Sequence, residues 1–128
     1  MSKRILIVDD DSDYLFQMST HVRKMGYEVI AASSQREAEK IIGELRPDLA
    51  IFDLMMENDD SGFILCHKMR TTHPGVPIII ATAVAAETGI HFGLEGSASS
   101  WVKADLYLEK AIRPAQLEEE ITKLLNTR

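Results

Sequence analysis

Cysteine is nearly absent from this 128-residue sequence, which contains only Cys66. One cysteine cannot form a disulfide within the chain, and this usage is typical of proteins from a reducing compartment. A domain of this length buries roughly two-thirds of its unfolded surface, so it needs neither a disulfide nor a structural metal to fold. We therefore expect a cytoplasmic protein in which Cys66 is a buried helix residue rather than a nucleophile.

Extended apolar stretches and basic clusters are also missing. The sequence has no run of about 18 apolar residues, and the apolar segment at 5–8 is too short for the core of a signal peptide. The formal net charge is −6, from 20 acidic residues against 14 Lys and Arg. We therefore expect neither insertion into a membrane nor direct binding to nucleic acid, because both favour a local excess of apolar or basic residues.

The residues that are present repeat a strand followed by a helix. Continuous apolar runs predict five strands, at 4–8, 27–32, 49–53, 76–83 and 105–110. Apolar residues at helical spacing predict a helix that stops at Gly26, a second that ends before Pro47, a third from about Ser61 and a last one from Pro114. Between strands four and five the glycine-rich sequence predicts at most a short helix.

This alternation indicates an α/β fold. Strand–helix units joined by right-handed crossovers build a doubly wound parallel sheet with helices on both faces. We predict a flavodoxin-like sheet with strand order 2-1-3-4-5, in which residues 1–128 form one domain without an output domain. Ligands of such sheets bind at the carboxyl ends of the strands where the order reverses, which here lies between strands one and three.

Acidic residues gather at that predicted edge. Asp9, Asp10, Asp11 and Asp13 follow strand one, and Asp53 ends strand three. One explanation is that the first four cap and solvate the start of a helix, where acids suit the helix dipole. The other is that Asp9, Asp10 and Asp53 converge on one point and hold a hard divalent cation. Oxygen-only ligands favour Mg²⁺, which keeps several of its waters.

Several motifs resemble those of response-regulator receiver domains in two-component signalling. "ILIVDDD" resembles the acidic pair after strand one, and "AIFDLMM" resembles the phosphoacceptor motif. The resemblance implies that Asp53 is phosphorylated and that Asp9, Asp10 and Asp53 bind Mg²⁺. It also implies that the backbone carbonyl of Met55 completes the metal site, while Met55 and Val84 flank the path of the hydrolytic water. Because both are apolar side chains, we expect slow dephosphorylation.

The second half of the chain carries the remaining family motifs. "IIIATA" resembles the strand with the switch hydroxyl, which is Thr82 here, and "YLEKAIRPAQL" resembles the strand-five signature. The latter implies Lys110 as the phosphate-binding lysine and Tyr107 as the rotating aromatic residue. The implied function is a phosphoacceptor that receives a phosphoryl group from a histidine kinase or phosphotransfer protein. It would signal to an unknown downstream protein through the face formed by strands four and five and the helix between them.

Four features depart from the family pattern, and one of them is Glu57, which stands in "ENDDSG" where proline is usual. Ala111 follows the lysine where proline is usual, and Gly62 lies nine residues past Asp53, one residue farther than is common. In addition, 24 residues separate Thr82 from the strand-five aromatic. The extra residues predict an insertion around the glycine-rich segment. In this insertion Trp101 either packs as an anchor, which we favour, or contacts a partner, and Lys103 is a second candidate for the phosphate-binding lysine.

Two other functions are compatible with parts of the pattern. A phosphate-independent interaction module on the same fold is favoured by Ala111 and by the long insertion. A metal-dependent phosphatase with an Asp nucleophile needs a second acid two residues after the first, but Met55 occupies that position. The receiver domain explains the largest number of motifs, and it would catalyse only its own phosphorylation and slow dephosphorylation.

Overall fold

The computed structural model describes residues 3–54, 56, 61–82 and 104–126, and it contains five strands and four helices in these ranges. Within these ranges each predicted strand and helix forms where its pattern indicated, although the second, fourth and fifth strands are shorter than predicted, and the short helix predicted between strands four and five lies outside the described residues. The elements are, in chain order, β1 (Arg4–Val8), α1 (Ser12–Lys24), β2 (Glu28–Ala32), α2 (Gln35–Glu44), β3 (Leu49–Asp53), α3 (Ser61–Thr72), β4 (Ile78–Thr82), β5 (Leu106–Glu109) and α4 (Pro114–Asn126).

The five strands form one parallel sheet in the order β2-β1-β3-β4-β5. This is the predicted flavodoxin-like order. In the registers that matter for the site, Val8 of β1 lies opposite Phe52 of β3, and Asp53 lies opposite Ala81 of β4. The loops after β1 and β3 therefore leave the sheet side by side at its carboxyl edge.

Alternate residues along the central strands fill two separate core layers. On one face Leu6, Val8 and Phe52 pack with buried apolar residues of α2 and α3, which are Ala38, Ile42, Leu65, Cys66 and Met69. On the other face Ile5, Ile7 and Ile51 pack with those of α1 and α4, which include Met18, Val22, Leu117 and Ile121. Burial on both faces explains why these strands read as continuous apolar runs, and it fixes the edge from which the site is built.

The helix ends follow the predicted signals. Gly26 has a positive φ of 99° directly after α1, and its N–H donates to the carbonyl of Arg23 at 2.9 Å. This is the left-handed turn that glycine makes without steric cost. Pro114 begins α4 and Ser61 begins α3, as predicted. Among the described residues, no helix has the length and apolar content required to cross a membrane.

Cys66 is fully buried in α3, as the sequence indicated. Burial raises the pKa of its thiol to about 11, because the thiolate would lie in an apolar environment. The thiol therefore stays protonated at neutral pH and serves as a core residue.

Candidate functional site

Three carboxylates converge at the carboxyl edge of the sheet. Asp9 and Asp10 directly follow β1, and Asp53 is the last residue of the neighbouring β3. Each of the three offers an oxygen atom, and these atoms all lie within 4.8 Å of one another. Asp9 and Asp53 are buried, with 2% and 6% of their surface exposed, whereas Asp10 is exposed. Two buried carboxylates at this separation repel each other, so the cluster requires a cation.

The other two acids of the first loop serve the helix that follows. Asp11 is the N-cap of α1, and its Oδ1 accepts hydrogen bonds from the N–H groups of Asp13 and Tyr14 at 3.0 and 3.2 Å. Asp13 lies in the first helical turn, where a negative charge suits the helix dipole. The capping explanation is thus confirmed for Asp11 and Asp13, and the predicted convergence of Asp9 and Asp10 with Asp53 is confirmed as well.

The N-cap of α1 is also linked to the carboxylate cluster by a hydrogen bond. The N–H of Asp11 donates to Oδ1 of Asp9 at 2.9 Å. This bond orients the Asp9 carboxylate, so that its second oxygen, Oδ2, points to the lysine described next. The N-terminus of α1 therefore helps to hold the site.

Lys110 supplies a cation from the other side of the site. It follows β5, and its Nζ lies 2.8 Å from Oδ2 of Asp9 and 3.3 Å from Oδ1 of Asp53. The described chain contains no cis peptide bond, so Ala111 follows Lys110 through a trans peptide. The absence of the usual proline therefore does not prevent the ammonium from reaching both buried carboxylates.

The charges of the site do not balance. Burial first, and then the charge of Asp9, raise the pKa of Asp53 from 3.8 to about 6, although the Lys110 ammonium acts to lower it. For Lys110, burial acts to lower the pKa, but the hydrogen bond to Asp9 and the charge of Asp53 outweigh it and raise the pKa. One ammonium shared by Asp9 and Asp53, with the exposed Asp10 beside them, leaves the cluster with excess negative charge.

The donor set fits Mg²⁺. Asp9, Asp10 and Asp53 offer only oxygen, and Mg²⁺ takes one or two carboxylates while it retains several waters. The excess negative charge supplies the attraction, and the exposed side of Asp10 leaves the cluster open to solvent. These three residues would hold the ion.

Gly62 allows the start of α3 to pack directly against the end of β3. Its N–H donates to the carbonyl of Leu54 at 2.7 Å. A Cβ atom on this residue would lie 2.7 Å from the backbone oxygen of Asp53 and 2.7 Å from Cα of Leu54, which is closer than real contacts allow. The sequence pattern marked Gly62 only by its spacing, and the packing now explains why the residue is glycine.

Tyr14 is a residue of the site that sequence reasoning missed. Nζ of Lys110 lies over its ring, 4.8 Å from the ring centroid. The hydroxyl of Tyr14 is buried and has no hydrogen-bond partner among the described residues. Burial and the charges of Asp9 and Asp53 raise its pKa, so the phenol stays neutral. The only sequence signal was the position of this residue in the first turn after the acidic run.

The predicted switch residues lie on neighbouring strands. Thr82 ends β4, where its backbone pairs with Glu109 of β5. Tyr107 of β5 is half-buried, and its hydroxyl accepts a hydrogen bond from the N–H of Ala104 at 3.2 Å. Burial raises the pKa of this phenol. The backbone of Thr82 directly follows Ala81, the residue opposite Asp53, and the side chain of Thr82 lies outside the described part of the structure.

Other residues named from the sequence fall outside the described ranges. They include the predicted carbonyl ligand and the two residues expected to tune dephosphorylation, together with the predicted anchor and the alternative lysine. These are Met55, Val84, Trp101 and Lys103. Their assigned roles stay predictions.

Residues 5–122 match the family described as the response regulator receiver domain. The chain is 31% identical over 125 residues to the alkaline phosphatase synthesis transcriptional regulatory protein PhoP of Bacillus subtilis, which covers 98% of this chain and 49% of PhoP. It is 32% identical over 117 residues to the DNA-binding response regulator MtrA of Mycobacterium tuberculosis, which covers 91% of this chain and 48% of MtrA. The chain therefore spans about half the length of these curated relatives.

A solved structure with a similar fold contains magnesium. It is the crystal structure of the response regulator TrrA from Thermotoga maritima in complex with Mg²⁺ and BeF. The similarity has a TM-score of 0.79 at 29% sequence identity, and it covers 95% of this chain and 98% of TrrA.

Proposed function

This chain belongs to the response regulator receiver family of two-component signalling, and on that premise we propose that Asp53 is its phosphoacceptor. The donor would be a histidine kinase or a phosphotransfer protein. The observation that carries the assignment is the position of Lys110, whose ammonium contacts Asp53 and Asp9 within a cluster of three carboxylates. The same contact argues against a phosphate-independent interaction module, because such a module does not require a lysine ammonium beside buried carboxylates.

The proposed reaction begins with the Asp53 carboxylate. With its pKa raised to about 6, the group is mostly ionised at neutral pH and can act as a nucleophile. One of its oxygens forms a bond to phosphorus while the bond from phosphorus to the donor's nitrogen or oxygen breaks, and the donor group leaves with that electron pair. The product is an acyl phosphate on Asp53.

The surrounding residues stabilise the transferred group. Lys110 donates hydrogen bonds to a phosphoryl oxygen from its place beside Asp53, and it offsets the charge that gathers there. Asp9 and Asp10 would hold Mg²⁺ together with Asp53. When bound, the ion supplies further positive charge against the phosphoryl oxygens. The preformed positions of these side chains lower the orientation cost of the transfer.

Intact mass spectrometry tests the assignment. After incubation with acetyl phosphate or phosphoramidate and Mg²⁺, we expect one phosphoryl adduct on the wild type, and none when EDTA replaces Mg²⁺. The adduct should disappear in Asp53→Ala and persist in Asp13→Ala, which removes an acid that serves only α1. An adduct that survives in Asp53→Ala would contradict the assignment.

The context of the domain is also proposed from these features. We propose that residues 1–128 act as one receiver domain in the cytoplasm and that phosphorylation alters its contact with a downstream protein. The names of PhoP and MtrA describe transcriptional regulation and DNA binding, and both relatives extend well beyond the aligned region. For the receiver itself, the net charge of −6 disfavours direct contact with nucleic acid.

A further inference from the structure

We propose that Tyr14 is a positioning residue that keeps the Lys110 ammonium at the phosphorylation site through the face of its ring. The inference deepens the proposed function and rests on it. Tyr14 is part of neither the sequence motifs nor the carboxylate cluster.

The first support is the geometry of the lysine. Nζ of Lys110 lies 2.8 Å from Asp9, 3.3 Å from Asp53 and 4.8 Å from the centroid of the Tyr14 ring. The ammonium thus lies between two carboxylates and an aromatic face. A cation over such a face is attracted by the negative charge of the ring quadrupole, and the attraction grows when the pair is shielded from water. The lysine side chain is only 19% exposed.

The second support is the state of the Tyr14 hydroxyl. The hydroxyl is buried and makes no hydrogen bond to any described residue. The ring face is therefore the part of Tyr14 that acts on the site. The ring itself is held in place, because the Tyr14 N–H donates to the N-cap Asp11 and the side chain packs against the core layer of α1 and α4.

The third support is competition for the carboxylates. Mg²⁺ and Lys110 would share Asp9 and Asp53. A bound ion would therefore weaken the attraction between these carboxylates and the ammonium, and its positive charge would repel the ammonium. Lysine has a long flexible stem and can move into solvent when its partners are taken. The Tyr14 ring does not bind Mg²⁺, so its attraction persists when the ion arrives. Tyr14 keeps the lysine beside Asp53 in the metal-loaded state, ready for the phosphoryl oxygens.

This role predicts two effects of opposite direction in Tyr14→Leu. Phosphorylation of Asp53 by phosphoramidate should slow about fivefold, because the ammonium is no longer held at the site. Binding of Mg²⁺ alone, followed by calorimetry, should become about threefold tighter, because the ion displaces a less firmly held cation. General damage to the fold would instead slow phosphorylation and weaken Mg²⁺ binding.

Three further variants identify the cause. Tyr14→Phe keeps the ring and should stay close to the wild type in both measurements. Tyr27→Leu removes another half-buried tyrosine of the same core layer, which lies just before β2 and so at the opposite edge of the sheet from the site, and it should alter neither measurement. In a Lys110→Met background, Tyr14→Leu should no longer change Mg²⁺ affinity, since the residue acts through the lysine.

The calorimetric measurement does not depend on phosphoryl transfer, so it separates this inference from the proposed function. Absence of an adduct on the wild type would overturn the proposed function, whereas unchanged or weaker Mg²⁺ binding in Tyr14→Leu would overturn the role of Tyr14. If Tyr14→Leu does not fold, pentafluorophenylalanine at position 14 replaces it. Fluorination keeps the ring shape and reverses the charge of its face, so the same two shifts are expected. Wild-type behaviour of that variant would overturn the inference.

Discussion

Asp53 combines burial with an excess of negative neighbours, and this combination ties function to stability. Its carboxylate is almost fully buried beside Asp9, and the single ammonium of Lys110 is shared between the two acids. The pKa of Asp53 is therefore higher in the folded protein than in the unfolded chain. The excess negative charge favours binding of a cation, and it lowers the stability of the folded protein without metal or phosphoryl group.

We predict that Asp53→Asn stabilises the metal-free protein at neutral pH. Between the ordinary pKa of 3.8 and the folded value of about 6, the folded state binds more protons, so stability falls as the pH rises through this window. Asparagine does not ionise, so the variant avoids this loss of stability. Urea denaturation in EDTA should show a gain of roughly 2 kcal/mol near pH 7.5.

The pH dependence distinguishes this effect from a simple change of packing. The gain should disappear below pH 3.8, where Asp53 is protonated in both states. Asp13→Asn removes an exposed acid of α1 and should change stability by less than about 0.5 kcal/mol at either pH. An equal gain from Asp53→Asn at all pH values would show that charge is not its origin.

Among the elements, the ends of β1, β3 and β5 build the site, and the starts of α1 and α3 hold it. The N-cap Asp11 orients Asp9 through its N–H, and Gly62 allows α3 to begin in contact with the backbone of Asp53 and Leu54. The position of the phosphoacceptor therefore depends on the close approach of a helix to the strand that carries it.

We predict that Gly62→Ala disturbs the site, because its Cβ would overlap backbone atoms that cannot rotate away. Either β3 or α3 must shift, and we expect a loss of stability of about 1–3 kcal/mol together with slower phosphorylation of Asp53. Thermal denaturation and the mass-spectrometric assay measure the two effects.

Gly43→Ala is the matched control for this experiment. Gly43 lies in α2, and no atom within 4 Å would meet its Cβ. Alanine there should leave phosphorylation intact and raise stability by up to about 1 kcal/mol, because glycine is a poor helix residue. A Gly62→Ala protein as active and stable as Gly43→Ala would refute the packing argument.

Across the domain, the sheet links the phosphoacceptor to the strands expected to carry the signal. β4 lies between β3 and β5, and Asp53, Ala81 and Leu108 stand in register across the three strands. The start of β5 is tied to its neighbours by Asp105, whose Oδ2 accepts hydrogen bonds from Ile78 N–H at 2.7 Å and from Arg70 at 2.9 Å. This end of β5 is pinned, so a change at the site is expected to move the carboxyl end.

We predict that a phosphoryl mimic alters amide exchange well beyond Asp53. With beryllofluoride and Mg²⁺, the largest differences should fall within residues 82–110, because Thr82 and Tyr107 are expected to rearrange together. Asp105 should restrict the change at the start of β5 relative to the region near Lys110. Asp53→Ala with the same additives is the control, and differences confined to the immediate surroundings of Asp53 would contradict the switch.

Much of this domain could be predicted from local patterns. The apolar residues predicted the five strands, and the flavodoxin-like order 2-1-3-4-5 predicted for their sheet is the observed one. For that order, the rule for doubly wound sheets indicated the edge at which the site lies. Lys110, which only the resemblance to receiver domains implied, lies beside Asp9 and Asp53. The predicted edge brings Asp9, Asp10 and Asp53 together in the structure. These predictions succeed because burial on both faces forces a recognisable residue pattern and because parallel strands all end at one edge.

Three-dimensional packing supplied the rest. Whether an acid of the run caps α1 or joins the cluster depends on backbone direction at the helix start, which gives Asp11 to the helix and Asp9 to the site. The need for glycine at position 62 comes from the approach of α3 to β3, and the contact of Tyr14 with Lys110 joins residues 96 positions apart in the chain. Distances between separate helices and strands depend on how their faces pack against one another. The spacing of residues along one segment therefore does not predict these distances.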